Sequence, residues 1–394
     1  MQHRENKLQV GFFGRCNVGK SSLINLISNQ NTSIVSSIKG TTTDIVKKTM
    51  ELNDFGPIVV VDTAGLDDNT VLGKERKKKT LQTFSQIDLA VVVISENIFS
   101  DCEQEIIQEC LKYSVPYLII YNKQDLYPIS KDLLKKVSLV LSEKENSARE
   151  KLCSLIRKEL QKLSDKQASP LINDIVNPTD VVILVTPIDS SAPKGRLILP
   201  QVKTIREILD QKAIAITTQT EQLQEVINLV GKHNIKMVIT DSQVFKQVDE
   251  IVPKEIGLTS FSILLAKEKG NFEAYLKGTS VIDSLQEGDK VLILESCTHT
   301  PTCEDIGRVK LPKLLEKYTA KHLEFEIKAG LNNDFSNVEQ YKLVIQCGGC
   351  MATQKQMTSR LKIFLDKGIP VTNYGMAISY ANGIFNRAIS FMKL

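Results

Sequence analysis

Two stretches of this chain carry residue types at spacings that do chemistry. Near its start, "GRCNVGKSS" contains Gly14-x4-Gly19-Lys20-Ser21, the spacing of a phosphate-binding P-loop. Near its end, "LVIQCGGCMATQKQ" (343–356) sets Cys347 and Cys350 three positions apart behind an apolar run. In the first, glycines let backbone N–H groups curl around phosphates, and the helix that follows adds the positive end of its dipole. Lys20 would reach the β and γ phosphates, and the Ser21 hydroxyl would ligate Mg²⁺. The second is compatible with a redox pair, half of a zinc site or part of an iron–sulfur site.

Further boxes follow the P-loop in order. "KGTTTD" (39–44) is a polar loop whose Thr41 or Thr42 could ligate Mg²⁺ and sense the γ-phosphate. "IVVVDTAGL" (58–66) reads as a strand ending at Asp62, which would hold the Mg²⁺ shell, with the Gly65 N–H at the γ-phosphate. "YLIIYNKQD" (117–125) ends in Asn122-Lys123-x-Asp125. A carboxylate at Asp125 accepts from guanine N1–H and N2–H, which adenine does not offer, so a site built on that pattern rejects the wrong base. "VLSEKE" supplies Ser142, Glu143 and Lys144 as a loop over the base. The expected GTP set is Gly14, Asn17, Val18, Gly19, Lys20, Ser21, Ser22, Asp62, Gly65, Asn122, Lys123, Asp125, Ser142, Glu143 and Lys144, with Ser21, Thr42 and Asp62 on Mg²⁺. Catalysis is expected to rest on Lys20, Asn17 and Thr42.

With Asn17 inside the P-loop, these boxes resemble those of the Era and tRNA-modification GTPases. The resemblance implies that Asn17 could ligate K⁺, which supplies positive charge where an arginine finger acts elsewhere. Leu66 follows Gly65 where many switch GTPases carry a Gln that orients water, and an apolar side chain cannot do that. Slow turnover, stimulated by K⁺ or by a partner, is the expectation.

The elements that position these residues are legible in outline. A chain of 394 residues holds two or three domains. Lys+Arg 50 against Asp+Glu 46 gives +4, too balanced to imply nucleic acid. The polar start "MQHRENKLQV" lacks the apolar segment of a signal peptide, and no apolar run approaches the ~18 residues of a membrane span. A cytoplasmic protein without nucleic-acid or membrane partners is expected. After a helix and polar linker, strands and helices alternate from "DVVILVTPID" to "QVFKQVDEIV", a parallel α/β layer with no catalytic constellation. Its loop residues Asp189, Lys194 and Arg196 read as a solvated connection. "TSFSILLAKEKG" (259–270) reads as its final strand, which at a sheet edge could pair with a second copy. The expected fold is therefore α/β: a P-loop GTPase domain (1–165), a small dimerisation domain (166–270) and a thiol-bearing domain (271–394), the last two Rossmann-like with parallel sheets.

Of eight cysteines, Cys16, Cys102, Cys110 and Cys153 are scattered without ligand spacing and read as buried or incidental thiols. Cys297, Cys303, Cys347 and Cys350 lie in the last hundred residues, and in a reducing compartment such a group holds metal rather than disulfides. "KVLILESCTHTPTCEDIGRVKLPKLLEKY" and "YKLVIQCGGCMATQKQMTSRLKIFLDKG" each read strand, loop, helix. Cys297 with His299, and Cys347 with Cys350, thus follow strand C-termini, outside which open parallel sheets bind ligands. A thioredoxin-like pair leaves Cys297 and His299 unexplained. A tetrahedral Cys₃His or Cys₄ zinc site uses them, as does an iron–sulfur cluster held by three cysteines and a weaker ligand.

"ESCTHTPTCEDIGRVKLP" followed about fifty residues later by "CGGC", behind a GTPase and a small α/β domain, resembles the [FeFe]-hydrogenase maturation GTPases over essentially the whole chain. The resemblance implies a [4Fe-4S] cluster on Cys297, Cys347 and Cys350, with His299 or Glu304 as a variable fourth ligand. Cys303 departs from that pattern by adding a thiol to the loop. It also implies a dimeric, GTP-hydrolysing scaffold or carrier for a diiron precursor, built by two radical-SAM maturases and delivered to apo-[FeFe]-hydrogenase. Two other readings make different demands. An RNA- or ribosome-associated GTPase with a structural zinc module would need a basic, aromatic-bearing face on the last domain. A GTP-regulated thiol oxidoreductase would need a reversible Cys347–Cys350 disulfide.

Overall fold

The computed structural model describes residues 7–28, 46–66, 77, 79–142, 144–167, 170–188, 195, 197–296, 306–331, 335, 337–350 and 352–392. They fall into two compact units, Met1–Gln167 and Ala168–Leu394.

The first unit is built on strands β1 (Leu8–Phe13), β2 (Val46–Leu52), β3 (Gly56–Asp62), β4 (Leu89–Ile94), β5 (Tyr117–Tyr121) and β6 (Leu139–Val140), in the order β2-β3-β1-β4-β5-β6. All neighbours are parallel except β2 and β3, which form an antiparallel hairpin. Every residue of β1 and β4 is buried, as expected of strands covered by helices on both faces. On one face Leu23, Ile24 and Ile27 of helix Lys20–Ser28 pack with Leu152, Ile156 and Leu160 of helix Ala148–Gln167. On the other, Phe84, Ile106 and Cys110 form a second layer.

The second unit holds two parallel four-stranded sheets. Strands β7 (Val181–Val185), β8 (Ile214–Thr218), β9 (Ile235–Thr240) and β10 (Gly257–Ser260) are ordered β10-β9-β7-β8. Strands β11 (Lys290–Leu294), β12 (Glu324–Lys328), β13 (Tyr341–Gln346) and β14 (Val371–Asn373) are ordered β12-β11-β13-β14. Each sheet repeats one arrangement: the second strand lies on one side of the first, the third and fourth on the other. The chain therefore reverses direction of winding between β7 and β9, and again between β11 and β13. In doubly wound sheets this is where a crevice opens beyond the strand C-termini. The two sheets share one apolar core, in which Ile183 and Leu258 join Leu292 and Val344.

One sequence expectation is corrected. "TSFSILLAKEKG" is not a strand: only Thr259 and Ser260 belong to β10, and Phe261–Lys269 is a helix. Its apolar residues face both ways, Ile263 and Ala266 into one core cluster and Phe261, Leu264 and Leu265 into another. A short helix whose apolar residues enter two core clusters, with only Ser262, Lys267 and Glu268 partly exposed, has little amphipathic period to read. The signals that identify it are the Ser260 side chain accepting from the Ile263 N–H and the Gly270 stop. β10 does lie at an edge, but it is short and largely buried, and helix Phe385–Ile389 packs on it. At the opposite edge, β8 is half-exposed, with Ile214 open to solvent. Among the described residues no helix is long and apolar enough to cross a membrane.

Candidate functional site

The P-loop follows β1, as its sequence requires. Gly14 has φ +140°, and a Cβ there would lie 2.3 Å from the Val93 carbonyl oxygen of β4, so the turn admits only glycine. Asn17 is in the left-handed region at φ +61°. Lys20 opens the helix, is buried, and donates to the carbonyls of Gly14 (3.0 Å) and Arg15 (2.7 Å). Its neighbour Ser21 donates to Asp62 Oδ2 at 2.8 Å, so the two described Mg²⁺ candidates meet. The other carboxylate oxygen, Asp62 Oδ1, is buried without a hydrogen-bond partner. A buried, unsatisfied carboxylate oxygen beside a hydroxyl fits a divalent cation's hydration shell.

The base-recognition box is tied to the P-loop. Asn122 Nδ2 donates to the Val18 carbonyl (3.1 Å), and Lys123 Nζ to the Asn17 carbonyl (2.6 Å). Asp125 accepts from Ser142 Oγ (2.7 Å) and Lys144 Nζ (2.8 Å), which brings the "SEK" loop to the carboxylate. Lys144, then Ser142, hold the Asp125 carboxyl below the usual carboxylate range. Leu66 is 5% exposed and packs with Phe13 and Val61, so it presents nothing polar to a water. Thr41, Thr42 and Glu143 lie outside the described residues. Sequence reasoning missed Glu103. It is fully buried, caps helix Asp101–Lys112 by accepting from Ser100, and pairs with Arg15 of the P-loop at 3.1 Å. An acidic residue three positions past a Ser was the available signal.

At the other site, β11 and β13 are parallel neighbours paired from Val291↔Leu343 to Leu294↔Gln346, and the Cys347 N–H donates to the Leu294 carbonyl at 2.9 Å. The two strand-end loops therefore leave from neighbouring strands, at the reversal of winding. The Ser296 N–H donates to Cys347 Sγ at 3.1 Å, and Cys347 Sγ lies 3.2 Å from Ser296 Oγ. Ser296 is the residue before Cys297, so the first loop departs in contact with the second loop's thiol. Burial pushes the Cys347 thiol up, against hydrogen bonds from Ser296 and the Gly349 N–H. Gly349 has φ +60°, and a Cβ there would sit 2.4 Å from Met357 Sδ, so this loop also needs its glycine. Cys347 and Cys350 are both half-buried thiols, not joined as a disulfide. Cys297, His299, Cys303 and Glu304 lie outside the described residues, as do Asp189, Lys194 and Arg196. Among the described residues no group of three or more His, Cys, Asp or Glu converges on a metal position. Of the scattered cysteines, Cys110 and Cys153 are buried, Cys102 is half-buried and Cys16 is exposed.

Three cationic side chains that the sequence does not single out hold the loops. Arg308 bridges back to the buried Glu295 carboxylate, with Nη2 at 2.8 Å, closing the loop that carries Cys297. Arg360, 1% exposed, donates from helix Gln354–Leu365 to the Glu295 carbonyl (2.9 Å) and the Lys328 carbonyl (3.2 Å). Burial draws its guanidinium down to about 10, offset in part by Cys347, Tyr374 and Glu295. Lys269, 3% exposed, donates to the carbonyls of Gly349 (3.1 Å), Cys350 (3.2 Å) and Ala352 (3.0 Å).

Comparison with known proteins assigns both halves. The sequence model of the 50S ribosome-binding GTPases matches residues 9–123. The tRNA modification GTPase MnmE of Prochlorococcus marinus (strain NATL1A) is 34% identical over 160 residues, 39% of this chain and 34% of the relative. MnmE of Coxiella burnetii (strain RSA 493 / Nine Mile phase I) is 40% identical over 123 residues, 30% of this chain and 27% of the relative. The chain thus spans about a quarter to a half of the length of such curated relatives. Among solved structures, the G domain of the T. maritima FeoB iron transporter matches at 18% identity and TM-score 0.30, over 40% of this chain and 99% of that one. Behind the GTPase region, the hydrogen maturase F dimerization domain matches residues 171–270 and the hydrogen maturase F tetramerization domain matches 273–391. With a GTPase domain followed by both of these domains in order, the chain belongs to the hydrogen maturase F family.

Proposed function

We propose that this hydrogenase-maturation GTPase hydrolyses GTP and carries a [4Fe-4S] cluster on Cys297, Cys347 and Cys350, with His299 or Glu304 completing it. The observation that carries the reading is Ser296 touching Cys347 Sγ at 3.1 Å, which starts the Cys297 loop beside the CGGC thiols. Soft thiolates at a sheet's winding reversal suit an iron–sulfur core, and a weak fourth ligand leaves one iron open to an incoming group. The cargo is a diiron precursor made by radical-SAM maturases and passed to apo-[FeFe]-hydrogenase. At the nucleotide end, Ser21 and Asp62 would hold a Mg²⁺, which would supply neutralising charge at the phosphates; Lys20 would draw the γ-phosphate oxygens and Asp125 would select guanine. With Leu66 buried, no side chain from that position orients the attacking water, so turnover is slow and rises with K⁺ held by Asn17. Self-association follows from the dimerization and tetramerization domains, and the half-exposed β8 edge is the strand open to a second copy.

The test is anaerobic iron and sulfide analysis, with visible and EPR spectra, on the intact protein and on Cys347→Ser. Iron with inorganic sulfide, lost or severely reduced in the variant, is expected. Zinc without sulfide would sink the carrier reading and leave CGGC as a structural clip.

A further inference from the structure

Lys269 belongs to the span matched by the dimerization domain, yet its side chain ends among the carbonyls of the CGGC loop. The helix that carries it forms the floor of that loop. Cys350 packs against the cluster containing Phe261, Leu264 and Leu265, and a Cβ on Gly348 would sit 3.3 Å from Leu265 and 3.5 Å from Ser262 Oγ. Three carbonyl acceptors within 3.2 Å use three N–H donors, which only the ammonium form possesses. The ammonium of a residue only 3% exposed thus meets the backbone at Gly349, Cys350 and Ala352. Burying an ammonium is costly unless it is fully hydrogen-bonded, and the three carbonyls meet that demand.

We propose that Lys269 is a positioning residue for the thiol site: it clamps the CGGC loop and holds a fixed positive charge beside it. This rests on the cluster reading above for its electrostatic half only. Thiolates on an iron–sulfur core carry net negative charge that grows on reduction, so a nearby buried cation favours the reduced state and raises the potential. The clamp reaches the cluster-bearing span from the preceding one, so residues 271–394 do not hold the whole site.

Two measurements on the full chain decide it. In metal-free protein, amide hydrogen exchange across residues 348–352 is compared for wild type, Lys269→Arg, Lys269→Gln and Lys269→Met. Protected amides in wild type and at least tenfold faster exchange in the Met variant are expected; fast exchange in wild type, or equal exchange in both, overturns the clamp. In protein reconstituted with iron and sulfide, an EPR-monitored redox titration follows the same variants. The neutral variants should raise the oxidised-to-reduced ratio at fixed potential about tenfold, a fall of about 59 mV for one electron, while Lys269→Arg stays near wild type. Equal potentials for the charged and neutral variants overturn the electrostatic role. Should no iron–sulfur chromophore form, the functional reading fails and the exchange measurement still decides the clamp.

Discussion

Asp125 meets Ser142 and Lys144 from a loop further along the chain, and the pairing has a pH consequence. Guanine binding needs the carboxylate ionised. Its value in the folded protein is depressed, chiefly by Lys144, so the ionised form persists below the ordinary carboxylate range and is lost only as pH falls through the depressed value. Lys144→Ala moves that loss upward, toward the ordinary carboxylate range. Fluorescent GDP binding followed from pH 7 down through the carboxylate range, for as long as the fold persists, should therefore fade at higher pH in the variant. Superimposable curves would show that Lys144 does not tune the base site. The same residue scale shows where sequence reading ends. Gly14, Lys20, Asp62 and Asp125 announce themselves because phosphate and guanine chemistry fixes their spacing. Lys269 and Arg360 do not, because a cation on a helix reads as a solvated surface residue until the fold shows what covers it.

At the scale of elements, alternation of strand and helix was readable wherever one face of a helix stayed polar. It failed at Phe261–Lys269, whose apolar residues enter two core clusters and leave only a narrow polar strip at Ser262, Lys267 and Glu268. Nor does sequence reveal how the short helix Phe385–Ile389 is fixed. Its Arg387 donates to the carbonyls of Val252 (3.1 Å), Pro253 (2.5 Å) and Ile256 (3.0 Å) and pairs with Asp249 at 2.5 Å, closing the turn after helix Phe245–Ile251. Arg387→Ala removes the bonds that it supplies to the Val252, Pro253 and Ile256 carbonyls and leaves the half-buried Asp249 carboxylate to Lys254 alone. The expected cost is about 2 to 3 kcal/mol, read as a melting temperature lower by roughly 5 to 10 °C. A variant that melts with wild type would remove the lock from the account of this unit's stability.

Across the whole molecule, the proposed nucleotide-binding residues lie in the first compact unit and the CGGC thiols in the second. If the two are separable, Lys20→Ala abolishes GTP hydrolysis in potassium and in sodium buffers alike, whereas the wild type turns over faster in potassium. Iron and sulfide content of the variant should match wild type. Loss of iron in Lys20→Ala would show that the thiol site depends on an intact switch, and equal wild-type rates in both salts would remove the K⁺ role. That the two later sheets share one core was not legible in the sequence, because the residues that join them, such as Leu258 and Val344, are ordinary strand residues there.

The clamp at Lys269 also sets an order in time. A ribosome completes the first unit once residue 167 has emerged, and domains fold as units from the N-terminus during synthesis. Lys269 then waits for Gly349, 80 residues on, before its ammonium has partners. At the usual pace of translation the thiol loop follows the switch by roughly ten to forty seconds. The switch can thus bind nucleotide on a nascent chain whose thiol loop has not yet been made, and on the reading proposed above cluster loading would fall to the finished protein.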